Sequence, residues 1–162
     1  MKSAVVTFRL WATLMLFVGT SSPANLQGTR DPATQEVGDF TYHDGPPSGA
    51  LPKTLQPPSF ATNPAAHVSY RLAARIRKVL YQEPCFCNCN RFASHKSLLD
   101  CYREDHGMSC YTCQAEAIFC YEKRHQGMKP DQIRQELYRD EWKKLDLQDY
   151  VRRFGEQRRR TK

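Results

Sequence analysis

The sequence predicts a small, cysteine-rich all-α domain: four short helices around a Cys cluster, preceded by a signal peptide and a disordered linker. Three observations predict it. Apolar residues recur at helical spacing after residue 63, no alternating strand pattern is present, and six of the seven cysteines fall between Cys85 and Cys113. A chain of 162 residues has room for one modest domain plus accessory segments.

The N-terminus reads as an export signal over residues 1–24. Lys2 and Arg9 supply a positive start, Leu10–Gly19 an apolar run, and Ser22 and Ala24 the small residues a signal peptidase accepts. The run is shorter than the roughly 20 residues a membrane span needs. A periplasmic or extracellular protein is expected, tethered to the membrane only if the signal stays uncleaved. Residues 25–62 hold GPPSG, LPK and QPPSF with no apolar period, the composition of an extended, disordered linker. Leu51, Leu55 and Phe60 make 51–60 a candidate docking arm.

The helical domain is expected over 63–142. Asn63 and Pro64 suit an N-cap and first helical position. Val68, Leu72, Ile76, Val79 and Leu80 continue one amphipathic helix to Gln82, before Glu83-Pro84. Ser94 is placed to cap a second helix carrying Leu98, Cys101 and Tyr102 on one face, with Gly107 ending it. Ser109 caps a third from Cys110, whose inner stripe is Cys113, Ala117, Cys120 and Tyr121; Gly127 closes it. Pro130 opens a fourth, with Ile133, Leu137 and Trp142 facing inward. Residues 143–162 carry eight Lys/Arg against three acids and read as a frayed helix with a basic tail. That tail, within a net charge of +7, gives weak affinity for anionic surfaces. It lacks interleaved aromatics, and no nucleic-acid partner is expected.

The cysteines carry the chemistry. Cys85, Cys87 and Cys89 alternate, so an extended backbone points their sulfurs to one side, and a disulfide between residues two apart closes a strained ring. Each therefore needs a more distant cysteine or a metal as partner. Cys110 and Cys113 form C-x-x-C at a helix start, where free N–H groups favour thiolate and serve redox exchange and metal ligation equally. Cys101 lies on the inner face of the second helix. His95 and His106 flank that helix and are candidate ligands. Cys120 reads as a small buried hydrophobe, and Met108 as a packing residue that can also offer a thioether.

The run PCFCNC (84–89), then HKSLLDCY (95–102) and DHGMSCYTC (105–113), resembles the bacterial secreted proteins of the CYCXC, or PCYCGC-motif, family, some of which are selenoproteins. The likeness extends through EAIFCYE and QIRQEL to EW, covering about 51–142. Phe86 stands where the family has Tyr, Asn88 where one branch has Gly, and Cys120 is additional to the family's six. The family carries no assigned activity. The resemblance implies export and a cysteine cluster, and selenium use by relatives implies chemistry rather than packing at one of these positions.

Three functions follow. The first is binding of a soft metal ion, Cu(I) or Zn(II), by Cys85, Cys87, Cys89, Cys101, Cys110 and Cys113 with His95 and His106. The second is a thiol–disulfide protein acting on a thiol partner through the same cysteines, the one route to oxidoreductase activity. The third is a scaffold stapled by three disulfides. No Ser/His/Asp set, phosphate loop or paired carboxylates point to a hydrolase or transferase.

Overall fold

The structure, a computed structural model, describes residues 40–56 and 63–160. The expected export segment and the first part of the linker lie outside these. Among the described residues the secondary structure is all helical: α1 (Pro64–Ala73), α2 (Arg77–Leu80), α3 (Cys89–Phe92), α4 (Asp100–Arg103), α5 (His106–Ser109), α6 (Tyr111–His125), α7 (Pro130–Tyr138), a 3-10 turn (Glu141–Lys144) and α8 (Leu147–Arg160). None of these helices is long and apolar enough to cross a membrane.

α1 begins as expected. Asn63 Oδ1 accepts the Ala65 and Ala66 N–H groups at 3.0 and 3.4 Å. The Asn63 amide also donates to Met108 O at 3.2 Å, so the cap pins the helix start to α5. The single helix expected to reach Gln82 is broken, however. Arg75 and Ile76 turn back onto the Leu72 and Ala73 carbonyls at 3.0 and 3.1 Å, tightening the last turn. The bend swings Ile76, Val79 and Leu80 into the main core, at the cost of the straight amphipathic face.

The expected second helix is replaced by α3, α4 and α5 with turns between them. Ser94 does not cap; it sits at φ 56° in the left-handed region. The Asp100 carboxylate takes over instead, accepting the Lys96 and Ser97 N–H groups at 2.8 and 3.1 Å. Gly107 does not end a helix but lies within α5. A Cβ there would stand 3.1 Å from Cys101 O and 3.1 Å from the Tyr70 ring, so the glycine permits a close backbone approach.

α6 is the central helix and is buried nearly all round from Cys113 to Cys120. Gly127 ends it at φ 91°, and Met128 N–H returns to Lys123 O at 3.1 Å. Ile133, Leu137 and Trp142 face the core as expected. Helical packing continues past Trp142. α8 lays Leu147, with Val151 and Phe154 beside it, into a second cluster with Ala65, Val68, Leu72 and Ile118.

Residues 40–56, expected as disordered linker, lie extended along the domain. Phe40 packs on Phe86 (ring centroids 4.5 Å), His43 stacks on Tyr81 (3.8 Å), and Arg134 covers the Tyr42 ring at 4.3 Å. Arg77 donates to the Leu51 and Pro52 carbonyls, both at 3.0 Å, and Leu55 N–H to Tyr102 O at 2.8 Å. Aromatic anchors and backbone hydrogen bonds hold the arm without any apolar period. Of the expected arm 51–60, residues 57–60 fall outside the described set.

Candidate metal centre

Two short ladders and two tyrosines bring the cysteines together. Leu98 N–H donates to Glu83 O (2.8 Å) and Leu99 N–H to Leu80 O (3.1 Å), tying the start of the CxCxC loop to the approach of α4. Tyr102 OH donates to Cys113 O at 2.7 Å, joining α4 to α6. Tyr70 OH donates to Glu104 O at 2.5 Å and approaches Cys101 O at 3.3 Å, joining α1 to α4. The backbone carrying the sulfurs is thus fixed by groups that are not ligands themselves.

The CxCxC run is a turn, not a strand. Asn88 adopts φ 63°, ψ 22°, a left-handed conformation that Asn tolerates, and Cys89 opens α3. Cys85 and Cys87 sulfurs therefore lie 3.3 Å apart. Cys85 is also 3.4 Å from Cys113, and Cys87 is 3.7 Å from Cys113 and 3.4 Å from His106 Nε2. Deeper in, Cys89 and Cys101 sulfurs stand 3.5 Å apart, and His95 Nδ1 is 3.3 Å from Cys101 Sγ. Cys110 caps α6, its sulfur accepting the Cys113 N–H at 3.4 Å.

Four overlapping sets have every donor atom within 4.8 Å of the others: Cys87/His106/Cys110/Cys113, Cys85/Cys101/Cys113, Cys85/Cys87/Cys89 and Cys89/Cys101/His106. All six expected cysteines and His106 thus meet in one place, which can hold a metal ion. His95 touches the group through Cys101 without joining a set of three. Cys120 stands apart, fully buried, in the field of Glu83 and Glu116. All seven cysteines are free.

The electrostatics follow from crowding. Hydrogen bonds from Cys101, then Cys110, Cys113 and Cys85, hold the Cys87 thiol far below its usual range. Cys89 is lowered to about 7, chiefly by Cys101 and Cys85. Cys113 is driven up, first by its contact with Cys101. Cys110 is pushed up to about 11, the lowering contact with Cys113 being outweighed by Cys87 and burial. The first proton leaves readily and later ones reluctantly, so the set titrates as a unit.

Two carboxyls beneath the cluster escaped the sequence reading. Glu116 is fully buried and its Oε1 accepts the Phe86 N–H at 3.0 Å, fixing the loop between Cys85 and Cys87. Burial holds its pKa well above the carboxylate range. Its position, three after Cys113 and four before Cys120, places it on the same stripe of α6, a signal legible in the spacing. Glu83 is equally buried, and neither of its oxygens has a hydrogen-bond partner.

Comparison with models of known families, with curated proteins and with solved structures finds no match to this chain.

Proposed function

We propose that the protein is an exported binder of a soft or borderline metal ion, with Cys87, Cys110, Cys113 and His106 as its ligands. One observation carries this reading: these four donors are mutually within 4.8 Å, close enough to surround one ion. A zinc ion with bonds of about 2.3 Å to sulfur and 2.0–2.1 Å to nitrogen implies edges of roughly 3.8 Å between sulfurs and 3.5 Å between sulfur and nitrogen. The Cys87–Cys113 and Cys87–His106 separations are 3.7 and 3.4 Å. The site is half-open, with Cys87, Cys110 and His106 partly exposed and Cys113 buried.

The same observation weighs against the alternatives. A disulfide staple needs one sulfur neighbour per cysteine, whereas Cys85 and Cys113 each have several. Redox exchange needs a low-pKa, reachable attacking thiol. Within the C-x-x-C pair both thiols are pushed up, Cys110 to about 11, so that pair does not supply one; the reachable thiol held low is Cys87, itself in contact with His106 and Cys113. The likeness to the CYCXC family and the N-terminal apolar run support export.

The experiment is elemental analysis of the protein purified anaerobically without added reductant or chelator, with a thiol count under denaturing conditions. Bound metal with free thiols supports the reading. Six oxidised cysteines and no metal overturns it. Chelation is expected to lower the melting temperature, because ligation of a small domain contributes directly to its folding free energy.

A further inference from the structure

The four donors of the outer site leave Cys85, Cys89 and Cys101 unassigned. Each pair among these three sulfurs lies within 4.8 Å, and Cys89–Cys101 is 3.5 Å. All three are buried, Cys101 completely. Packing alone accounts poorly for three thiols facing one another at this depth. A disulfide would consume two and strand the third. Thiolates bridging between ions account for all of them, because Cys85 is 3.3 Å from Cys87 and 3.4 Å from Cys113, both ligands of the outer site.

We infer that the cluster holds a second ion in an inner position formed by Cys85, Cys89 and Cys101, with the Cys113 sulfur of the outer site, within 4.8 Å of both Cys85 and Cys101, bridging the two ions. The inference rests on the metal-binding reading above and extends it from a single ion to a thiolate-bridged cluster. The inner donors are sulfur, with His95 Nδ1 3.3 Å from Cys101 and a His106 ring nitrogen within 4.8 Å of Cys89 and Cys101. Soft, dry, sulfur-rich surroundings select Cu(I) over harder ions. The backbone is already arranged for it: Tyr70 holds the Cys101 and Glu104 carbonyls, and Gly107 allows α5 to close against the Cys101 carbonyl.

The test is a titration of the reduced full-length chain with Cu(I) against a chromophoric Cu(I) chelator. Bound copper is counted by elemental analysis, and X-ray absorption at the copper edge reads metal–metal scattering. At least two Cu(I) per chain with metal–metal scattering is expected. Cys101→Ser is expected to lose one ion and the scattering signal while keeping the other; Cys89→Ser serves as the second variant should Cys101→Ser fail to fold. A single ion per chain at saturation, without metal–metal scattering, overturns the inner position and leaves the outer site standing. No retained metal overturns both. Full loading of a folded Cys101→Ser or Cys89→Ser chain also overturns the inner position.

Discussion

His95 stands between a sulfur and a carboxylate: its Nδ1 lies 3.3 Å from Cys101 Sγ and its Nε2 3.7 Å from Glu104 Oε1. The Nε2–carboxylate distance is beyond hydrogen-bond reach and Nε2 has no hydrogen-bond partner, so the ring is held to the cluster through Nδ1. Glu104→Gln is therefore expected to leave metal affinity unchanged, because Glu104 is largely exposed and beyond hydrogen-bond reach of the ring. Competition against a chromophoric chelator measures it. A loss of about tenfold would instead show a ligating His95 supported by Glu104.

Gly107→Ala should destabilise the fold. The added methyl meets a backbone carbonyl and a tyrosine ring at 3.1 Å, and neither is the free end of a flexible chain. Overpacking of this kind costs about 1–3 kcal/mol. Chemical denaturation of the metal-free variant reads the loss, and a midpoint equal to wild type would count against the close approach.

Stability is expected to fall as pH rises across neutrality, through Glu83. Its pKa is raised from 4.5 to about 9 by burial, partly offset by Arg134. Between those values the folded chain keeps the proton and the unfolded chain releases it. The stabilisation is thus complete below pH 4.5 and lost on approach to pH 9. Glu83→Gln imitates the protonated acid and should flatten the profile, raising the denaturation midpoint at about pH 8 more than in acid. Parallel profiles for the two chains would refute it.

Leu147→Ala should cost about 2–5 kcal/mol, as a leucine removed from a packed site does. It is buried between α8 and α1. Were the segment after Trp142 a frayed tail, the substitution would leave the melting temperature unchanged.

That the cysteines gather was legible in their spacing, which left metal ligation, redox exchange and disulfides open. The C-x-x-C pair at a helix start, Cys101 on an inner face and His106 beside it all meet where the pattern implied. What escaped depended on competition between local signals. The apolar period runs unbroken through Ala74–Ile76, yet burial of Ile76, Val79 and Leu80 favours a bend there. Ser94 suits an N-cap by its sequence position, yet it turns left-handed, and the Lys96 and Ser97 N–H groups go to the Asp100 carboxylate instead. The arm over 40–56 is anchored by single aromatics and backbone carbonyls, which leave no period to read. α8 is strongly basic, which concealed the narrow stripe of Leu147, Val151 and Phe154.

The donors differ in depth: Cys87, His106 and Cys110 are partly exposed, while Cys85, Cys89, Cys101 and Cys113 are buried. The centre therefore has a front and a back. With both proposed positions filled, an ion entering from solvent would meet the front donors first and reach the back only past Cys87 and Cys113. The front position would then exchange faster than the back one, whose donors are reached only when the fold opens.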